Sequence, residues 1–469
     1  MKTTKKIFAA VLAVMMIALM IPFSASAAEG NTYNAFIKGK NGFTVDVYKV
    51  AKINTTTGEY TEIQGGTAVE TALKTWKNAS GNDSKALLAA CESATFTDAD
   101  SKGNHEFTSD EDVYNFGTND AGVYYVKVTG QPAETSVKKK GGALFALPEG
   151  TKTTQGSAEA PIELKINTGA VEVSKEIVGG DINTKKTTAS AGDTVTFKLT
   201  ASVTGSKEVP LTEYTIHDNL SDSFDTPAVT EVMVGSTKLS TSDYTVDASS
   251  QSDIKISLSE SYLKAAKEGT NDFYASSDVT VTLTAVLKDT AVSGNTATAN
   301  SNSDSLTYTN TYGQASKSGG TVYVYTFDLP VFKYDGTTAD KKGLGNATFV
   351  LKKADGTEVA TKVTSVEAGS EGKVTFEKLG AGTYTVQETI APSGYNRNST
   401  LYTINISVEG VITVNGDSNT VTTLEVPNYP VTVPSTGGMG TMMFYVGGAA
   451  LIACAGVLLF VLKRKKAAK

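Results

Sequence analysis

A lysine, a carboxylic acid and an asparagine recur at positions that strand alternation would bury. Successive side chains of a β-strand point to opposite faces, so every second residue shares a face. By this rule Lys333, Glu388 and Asn428 each lie on an inward face. Their apolar companions are Phe327, Leu329 and Val331 for the lysine, Tyr384 and Val386 for the acid, and Leu424 and Val426 for the amide. The pattern predicts that all three polar side chains enter one core.

A second set in the same order lies earlier in the chain. Lys175, Asp218 and Asn310 also share inward faces with apolar residues. The companions are Val171, Val173 and Ile177 for the lysine, Tyr214, Ile216 and Leu220 for the acid, and Leu306 and Tyr308 for the amide. Asn300 is an alternative amide, because the run that it ends is also strand-like. In the first domain Lys49 points inward, but no asparagine is in register on the closing run, so no third set is predicted.

These residue types can form a covalent bond without a cofactor. Burial lowers the pKa of a lysine and raises the pKa of a carboxylic acid, so a dry pair can exchange a proton and leave a neutral amine. The amine can attack the side-chain carbon of asparagine while the acid polarises the carbonyl and relays protons to departing ammonia. The product would be an isopeptide bond between the first and last strands of a domain.

Each lysine taken alone has a simpler interpretation. Its stem can pack on apolar neighbours while its ammonium reaches water, and an asparagine can cap a strand end. Two sets in matching order, both near domain ends, favour the bond.

The elements that must position these residues are β-strands. Short Thr- and Val-rich alternating runs are separated by Gly, Asn, Asp and Ser clusters, which is typical of all-β, immunoglobulin-like sandwiches in tandem. Helical stretches at 68–79 and 84–94 are predicted as insertions in the first domain. The segment 313–320 has the composition of a flexible loop. The predicted domains are 28–167, 168–320 and 321–432.

Both ends of the chain carry targeting patterns. Residues 1–27 combine a basic start, an apolar core and a small-residue cleavage site, which predicts a signal peptide. The segment 433–469 contains an apolar run, 442–462, of about the 20 residues that cross a bilayer. A basic cluster that should stay cytoplasmic follows this run. The body of the protein is therefore expected outside a membrane, and an ordinary single-pass anchor is the alternative for the tail.

Composition argues against several classes of function. The formal net charge is −7, and removal of the two basic ends makes the exported part more acidic, so nucleic acid is not an expected partner. Cys91 stands alone once Cys454 is assigned to the apolar tail, so no internal disulfide is expected. His105 and His217 are the two histidines, and they assemble neither a hydrolase triad nor a zinc site. No metal or cofactor is predicted.

The stretch from Tyr384 to Tyr395 resembles the E-box of Gram-positive sortase-assembled pilins, with Val386 in place of the usual leucine. The likeness covers nearly the whole chain. It implies an A-type domain followed by a B-type domain of the collagen-adhesin kind. By this likeness Glu388 catalyses the bond between Lys333 and Asn428.

The same resemblance assigns Asp218 to the bond between Lys175 and Asn310 in the A-type domain. The resemblance also extends to the tail, where five residues resemble the Leu-Pro-x-Thr-Gly sorting motif with valine in place of leucine. The motif is Val433-Pro434-Ser435-Thr436-Gly437. The sortase of this family cuts between the threonine and the glycine.

Backbone pilins of this family also carry a linkage lysine at the end of the first domain, usually within Tyr-Pro-Lys. The corresponding place here ends in Lys165, which follows Ile162, Glu163 and Leu164. Alternation points Lys165 outward, as a nucleophile that must enter a sortase requires. The Tyr and Pro are absent, and Lys139 and Lys140 are the alternatives.

These features predict the shaft subunit of a covalently polymerised pilus, which is a sortase substrate and not an enzyme acting on other molecules. Expected partners are the sortase, identical subunits, tip or base pilins, and peptidoglycan. The alternative is a monomeric wall-anchored adhesin or accessory pilin that binds a host or microbial surface ligand. An extracellular enzyme is least favoured, because no catalytic constellation for an external substrate is present.

Overall fold

The computed structural model describes residues 32–54, 56–78, 85–139, 141–147, 161–164, 166, 168–181, 183, 185–294, 300–432 and 440–466. The predicted signal peptide and the motif 433–437 lie outside these residues. Two compact units divide between Thr326 and Phe327. Strands dominate both units, so the all-β prediction is confirmed.

The first domain combines strands with two helices. Its elements are β1 (Thr32–Lys38), β2 (Thr44–Ile53), β3 (Tyr60–Thr61), α1 (Gly66–Asn78), α2 (Lys85–Ser93), a 3₁₀ turn (Asp98–Asp100), β4 (Ser101–Glu106), β5 (Val113–Asp120), β6 (Gly122–Gly130), β7 (Thr135–Val137), β8 (Gly142–Leu147), β9 (Ile162–Glu163) and β10 (Thr168–Ala170). Strands β3, β2, β6 and β8 form one sheet, with β4 also paired to β2, and β5, β1 and β9 form another. The two helical insertions are confirmed. They expose one polar side and bury Val69, Leu73, Leu87 and Cys91 against the sheet.

The second domain is a two-sheet sandwich in the same unit. Its elements are β11 (Val173–Ile177), β12 (Lys186–Thr188), β13 (Thr194–Ser202), β14 (Glu213–Leu220), β15 (Ala228–Val234), β16 (Thr237–Lys238), β17 (Tyr244–Asp247), β18 (Ile254–Leu258), α3 (Glu260–Glu268), a 3₁₀ turn (Phe273–Ala275), β19 (Asp278–Val286), β20 (Ser301–Asn310) and β21 (Gly313–Tyr325). One sheet runs β11-β13-β19-β15-β16 and the other β12-β21-β20-β14-β18-β17. Inward residues such as Phe197, Leu283, Ile216 and Leu306 form one core between them.

Two local predictions in this domain are wrong. The segment 313–320 is not a flexible loop but the first part of β21, which pairs with β20 from Asn310 opposite Gly313 to Ser301 opposite Tyr323. The ladder overrides the weak strand propensity of Gly and Ser. Helix α3 was also not predicted. The local feature that begins it is an N-cap, in which the side chain of Ser259 accepts a hydrogen bond from the N–H of Tyr262.

The third domain opens the second unit. Its elements are β22 (Phe327–Asp335), β23 (Thr348–Lys353), β24 (Glu358–Val363), β25 (Lys373–Leu379), β26 (Gly382–Ile390), β27 (Leu401–Ile406), β28 (Ile412–Val414), β29 (Thr420–Val421) and β30 (Leu424–Asn428). One sheet runs β25-β22-β30 and the other β24-β23-β26-β27-β28-β29. Strands β22 and β30, the first and last, lie side by side and parallel. The chain ends in helix α4 (Gly440–Lys466).

Candidate functional site

The third domain brings its predicted lysine, acid and asparagine together in the core. Lys333 lies on β22, and the parallel register sets Asn428 opposite Asp335, two positions further along that strand. Glu388 enters from β26, in the other sheet. Lys333 is fully buried, and Glu388 and Asn428 are each 1% exposed. Water therefore has almost no access to the three side chains.

One carboxylate oxygen contacts both the amine and the amide. Asn428 Nδ2 donates a hydrogen bond to Glu388 Oε1 at 3.0 Å, and Lys333 Nζ lies 3.5 Å from the same oxygen. The lysine also donates to the carbonyl of Val426 at 3.2 Å. Because amine and amide converge on one acid, a proton that leaves the lysine can pass to the amide nitrogen. The acid is therefore close to both groups between which it would have to move protons.

Burial controls the protonation of this lysine. Loss of hydration lowers the pKa of Lys333 to about 8, although the negative charge of Glu388 opposes the shift. A large fraction of the amine is then neutral near pH 8, the form that can act as a nucleophile.

Asn398 also contacts this centre, and the sequence analysis did not identify it. Its backbone N–H donates to Glu388 Oε2 at 2.5 Å, and its side chain donates to the carbonyl of Pro427 at 3.1 Å. The residue fixes the free carboxylate oxygen and the strand end that carries Asn428. Only its position soon after the stretch 384–395 could have suggested this role, because a loop residue has no periodic signal.

The second domain forms a similar centre around Lys175 of β11. Lys175 Nζ donates to Asp218 Oδ1 on β14, to Asn302 Oδ1 on β20 at 2.6 Å, and to the carbonyl of Ser303 at 3.0 Å. Lys175 is 3% exposed, and Asp218 and Asn302 are fully buried. Burial lowers the pKa of Lys175 and raises the pKa of Asp218, in each case against the attraction between the two charges.

Asn310, the predicted acceptor amide, does not reach Lys175. Asn302 takes that place, on the same strand and the same face but near its other end, roughly 25 Å away for eight residues of strand. Asn310 instead exchanges hydrogen bonds of 3.3 Å with Gln131 of the first domain. The alternative, Asn300, donates to the carbonyls of Val292 and Val324. Alternation identifies the face of a strand but not the position along it, which is why the predicted asparagine lies on the expected face but away from Lys175.

The residues predicted for linkage between subunits are mostly outside the described part of the chain. This applies to Lys165, to Lys140 and to the motif 433–437. Lys139 is described and exposed. Its neighbour Lys138 is partly buried and donates to the carbonyl of Val203 in the second domain at 2.9 Å.

Lys49, the inward lysine of the first domain, forms an ion pair with Asp120 at 2.9 Å. No asparagine amide contacts its amine among the contacts of the described residues. Within the same residues, no group of three or more His, Cys, Asp or Glu side chains could hold a metal ion.

Helix α4 carries the apolar part of the tail. The segment Met442–Arg464 contains an 18-residue window with a mean hydropathy of 2.3, and at about 1.5 Å per residue the segment is long enough to cross a bilayer. By length and composition it fits a transmembrane anchor segment.

Comparison with known proteins gives the third domain a family likeness. Residues 328–420 match the family model described as SpaA, a prealbumin-like fold domain. No curated protein matches the sequence of the chain. The match covers the strands that carry Lys333 and Glu388.

Solved structures extend the likeness to the other domains. The full-length major pilin SpaD from Corynebacterium diphtheriae is 19% identical, with a TM-score of 0.56 over 87% of this chain and 100% of that one. The T6 backbone pilin of Streptococcus pyogenes is 17% identical, with a TM-score of 0.53 over 81% of each chain. The major pilin SpaA from Corynebacterium diphtheriae is 16% identical, with a TM-score of 0.50 over 85% and 100%. The chain therefore has the modular all-β fold of Gram-positive major pilins.

Proposed function

We propose that this protein is the shaft subunit of a covalently polymerised cell-surface pilus, stiffened by isopeptide bonds inside its domains. The observation that carries the proposal is the buried Lys333–Glu388–Asn428 centre, because it joins the first and last strands of a domain that has the fold of major pilins. Burial of three polar side chains lowers stability unless they react or pair closely. Formation of a covalent bond between Lys333 and Asn428 would account for the burial of these side chains.

In the third domain the reaction begins when Lys333 gives a proton to Glu388. The neutral Nζ attacks Cγ of Asn428, and the new Nζ–Cγ bond replaces the Cγ–Nδ2 bond. Glu388 carries protons from the attacking nitrogen to Nδ2, which leaves as ammonia. The protein is thus both catalyst and substrate in a single turnover, and no cofactor is needed.

In the second domain the same chemistry joins Lys175 to Asn302, with Asp218 as the acid. The hydrogen bonds from Lys175 Nζ to Asp218 and Asn302 place the nucleophile between its base and its target. The raised pKa of Asp218 and the lowered pKa of Lys175 favour the transfer of the first proton.

Polymerisation uses the two segments that lie outside the described residues. A sortase cuts between Thr436 and Gly437 and joins the threonine carboxyl to a lysine of the next subunit, for which Lys165 is our first choice. Exposed Lys139 is the described alternative. Helix α4 holds the precursor in the membrane until cutting, and the finished fibre is attached to peptidoglycan together with tip or base pilins.

The test is to digest cell-wall extracts and search by tandem mass spectrometry for a branched peptide that contains the Thr436 carboxyl. We expect this carboxyl on the side chain of Lys165 of the same protein. Linkage of Thr436 to peptidoglycan alone would instead identify a monomeric wall-anchored adhesin or accessory pilin, and would overturn the shaft proposal. A Lys165→Arg strain that still polymerises through Lys139 would retain the shaft role and move the linkage site.

A further inference from the structure

Bond formation in the second domain must release ammonia from a closed site. Lys175 and Asn302 lie on the core side of the sheets. Asn302 Nδ2, the nitrogen that leaves, is buried, and the side chain of Asn302 lies beside the carboxyl of Asp218. An intact antiparallel ladder, with strands about 4.8 Å apart, leaves no passage from one face of the sheet to the other. Ammonia can therefore leave between the edges of the two sheets, where β11 is an edge strand, or through an interruption of the ladder.

A second carboxyl group lies beside this centre. Asp304 of β20 is directly opposite Asp218 of β14 in the antiparallel register, and it is 6% exposed. Its Oδ1 accepts a hydrogen bond from the N–H of Gly320 at 2.8 Å. Its Oδ2 is buried without a hydrogen-bond partner in the described part of the chain. A buried carboxyl with one unused oxygen is costly to keep without a role.

The ladder is interrupted at Asp304. The register between β20 and β21 shifts between Ser303 and Ser305, so Gly319 and Gly320 together oppose Asp304 as a β-bulge. A Cβ on Gly319 would collide with Asp304 Oδ1, and a Cβ on Gly320 would approach Lys185 Nζ at 2.7 Å. The two glycines thus leave a gap in the ladder that the side chains of Asp304 and Lys185 occupy.

A polar cavity of about 320 Å³ lies over this gap. Asp304, Gly319 and Gly320 line it, together with His217 and with Ser318, which is exposed to solvent. The Nε2 atom of His217 is buried without a hydrogen-bond partner in the described residues. The cavity therefore connects the inner carboxyl to the surface through polar walls.

We propose, on the basis of the Lys175–Asn302 bond proposed above, that the Gly319–Gly320 bulge is the port through which ammonia leaves, and that Asp304 is the acid that protonates it there. The occupant of the cavity is thus ammonia, as ammonium, on its way to solvent. Burial raises the pKa of Asp304, with a smaller contribution from the charge of Asp218, although the charges of Lys175 and Lys185 and the hydrogen bond from Gly320 oppose the rise. The raised pKa helps this carboxyl to hold a proton until ammonia arrives.

The protons balance in this scheme. The pair Asp218 and Asp304 begins with one proton, held by Asp304. Lys175 gives a proton to Asp218, which passes it to Nδ2 as the Cγ–Nδ2 bond breaks, and the attacking nitrogen then returns its surplus proton to Asp218. Ammonia takes the proton of Asp304 and leaves as ammonium. The pair again holds one proton, and the chain has exchanged Lys175 ammonium for free ammonium.

The test uses the full chain recovered unfolded in denaturant, folded by dilution and quenched in acid at intervals. Tandem mass spectrometry then measures the joined Lys175–Asn302 peptide against time. Ser318→Trp fills the cavity from the surface side, and we expect it to slow formation of this bond about tenfold. Asp304→Asn keeps the shape but removes the proton donor, and we expect a similar loss.

Two controls make the result specific. Ser316→Trp places the same side chain on the exposed face of β21, two residues before the cavity, and should leave the rate unchanged. The Lys333–Asn428 bond in the same molecules reports on folding and should form at the normal rate in every variant. Equal rates in Ser318→Trp, Asp304→Asn and the natural chain would overturn the port, as would equal slowing by Ser316→Trp. Absence of the bond from the natural chain would instead refute the Lys175–Asn302 bond of the proposed function, on which the port depends.

Discussion

The surroundings of Lys333 and Lys175 favour the neutral amine. Each lysine has lost its water to apolar neighbours and faces one directly contacting carboxyl group, Glu388 or Asp218. A lysine in water has its amine protonated at neutral pH, and so is a poor nucleophile. At the scale of single residues, the fold therefore acts mainly by removing water.

The pH dependence of bond formation follows from the proton that Lys333 and Glu388 share, because the amine passes this proton to the acid when the reaction begins. Burial lowers the pKa of Lys333 from 10.5 to about 8, so the pair loses this proton to solvent above about pH 8. We expect the rate of Lys333–Asn428 bond formation to be nearly level from about pH 6 to about pH 8 and to fall above it, when unfolded chain is diluted into buffers of each pH. Glu388→Gln gives the baseline, because it should form no bond at any pH. A rate that keeps rising above pH 8 would contradict proton transfer from Lys333 to Glu388.

Residue chemistry was the part of the site that the sequence predicted best. Five of the six residues in the two predicted sets meet in the cores, since alternation reports burial directly. The sixth, Asn310, lies away from Lys175, because every second residue along the whole strand shares its face. Asn398 and Asp304 could not be predicted, since their contacts depend on a loop and on a bulge. Neither feature has a period that a sequence pattern can reveal.

At the scale of elements, β20 presents two buried asparagines on one face at opposite ends. Asn302 faces Lys175, whereas Asn310 faces Gln131 across the boundary with the first domain. Tyr308, on the same face, donates to the carbonyl of Thr135 at 2.8 Å. One strand therefore contacts the buried Lys175 at one end and the first domain at the other.

Substitution separates these two roles of β20. We expect Asn302→Ala to abolish the second-domain bond, so that its intact mass shows one ammonia less lost, relative to its own sequence, than the natural protein shows. Asn310→Ala is the matched control, because it removes the same amide from the same face and should lose as much ammonia, relative to its own sequence, as the natural chain. A lost bond in Asn310→Ala with a retained bond in Asn302→Ala would restore the assignment made from sequence.

The element types were predictable where periodicity was strong, and less so elsewhere. Helices α1 and α2 were found because their buried residues recur at helical spacing. Helix α3 is short and begins at a serine cap within a Ser-rich stretch, so its signal was hidden. The start of β21 contains Gly and Ser that suit a loop, but pairing with β20 decides its structure.

At the scale of the whole molecule, the two bonds close large parts of the chain. The Lys333–Asn428 bond would enclose about 95 residues and the Lys175–Asn302 bond about 127, and a disulfide-like entropy model gives about 4 to 5 kcal/mol for each. Since a native domain is stable by only about 5 to 15 kcal/mol, each bond would supply a large share of the stability of its domain.

Glu388→Gln tests this contribution. The variant should fold, lose no ammonia from Lys333 and Asn428, and show a third-domain unfolding free energy lower by about 4 kcal/mol in denaturant titration. Trypsin should also cut its third domain sooner. The second domain of the same chain is the control and should keep its bond. Equal loss of ammonia, relative to the sequence of each chain, and equal protease resistance in the variant and the natural chain would show that Glu388 does not direct a bond.

The parallel pairing of β22 with β30 has a consequence under tension. Traction that enters the third domain at Phe327 and leaves after Asn428 would pass from one strand to the other through the bond near Lys333. The roughly 95 residues between Lys333 and Asn428 would carry no load. The domain therefore could not unfold under tension and lengthen by the roughly 300 Å that this segment spans when extended. A fibre of such domains would not absorb a sudden pull by stretching. It would transmit the pull, nearly undiminished, to its attachment on the cell.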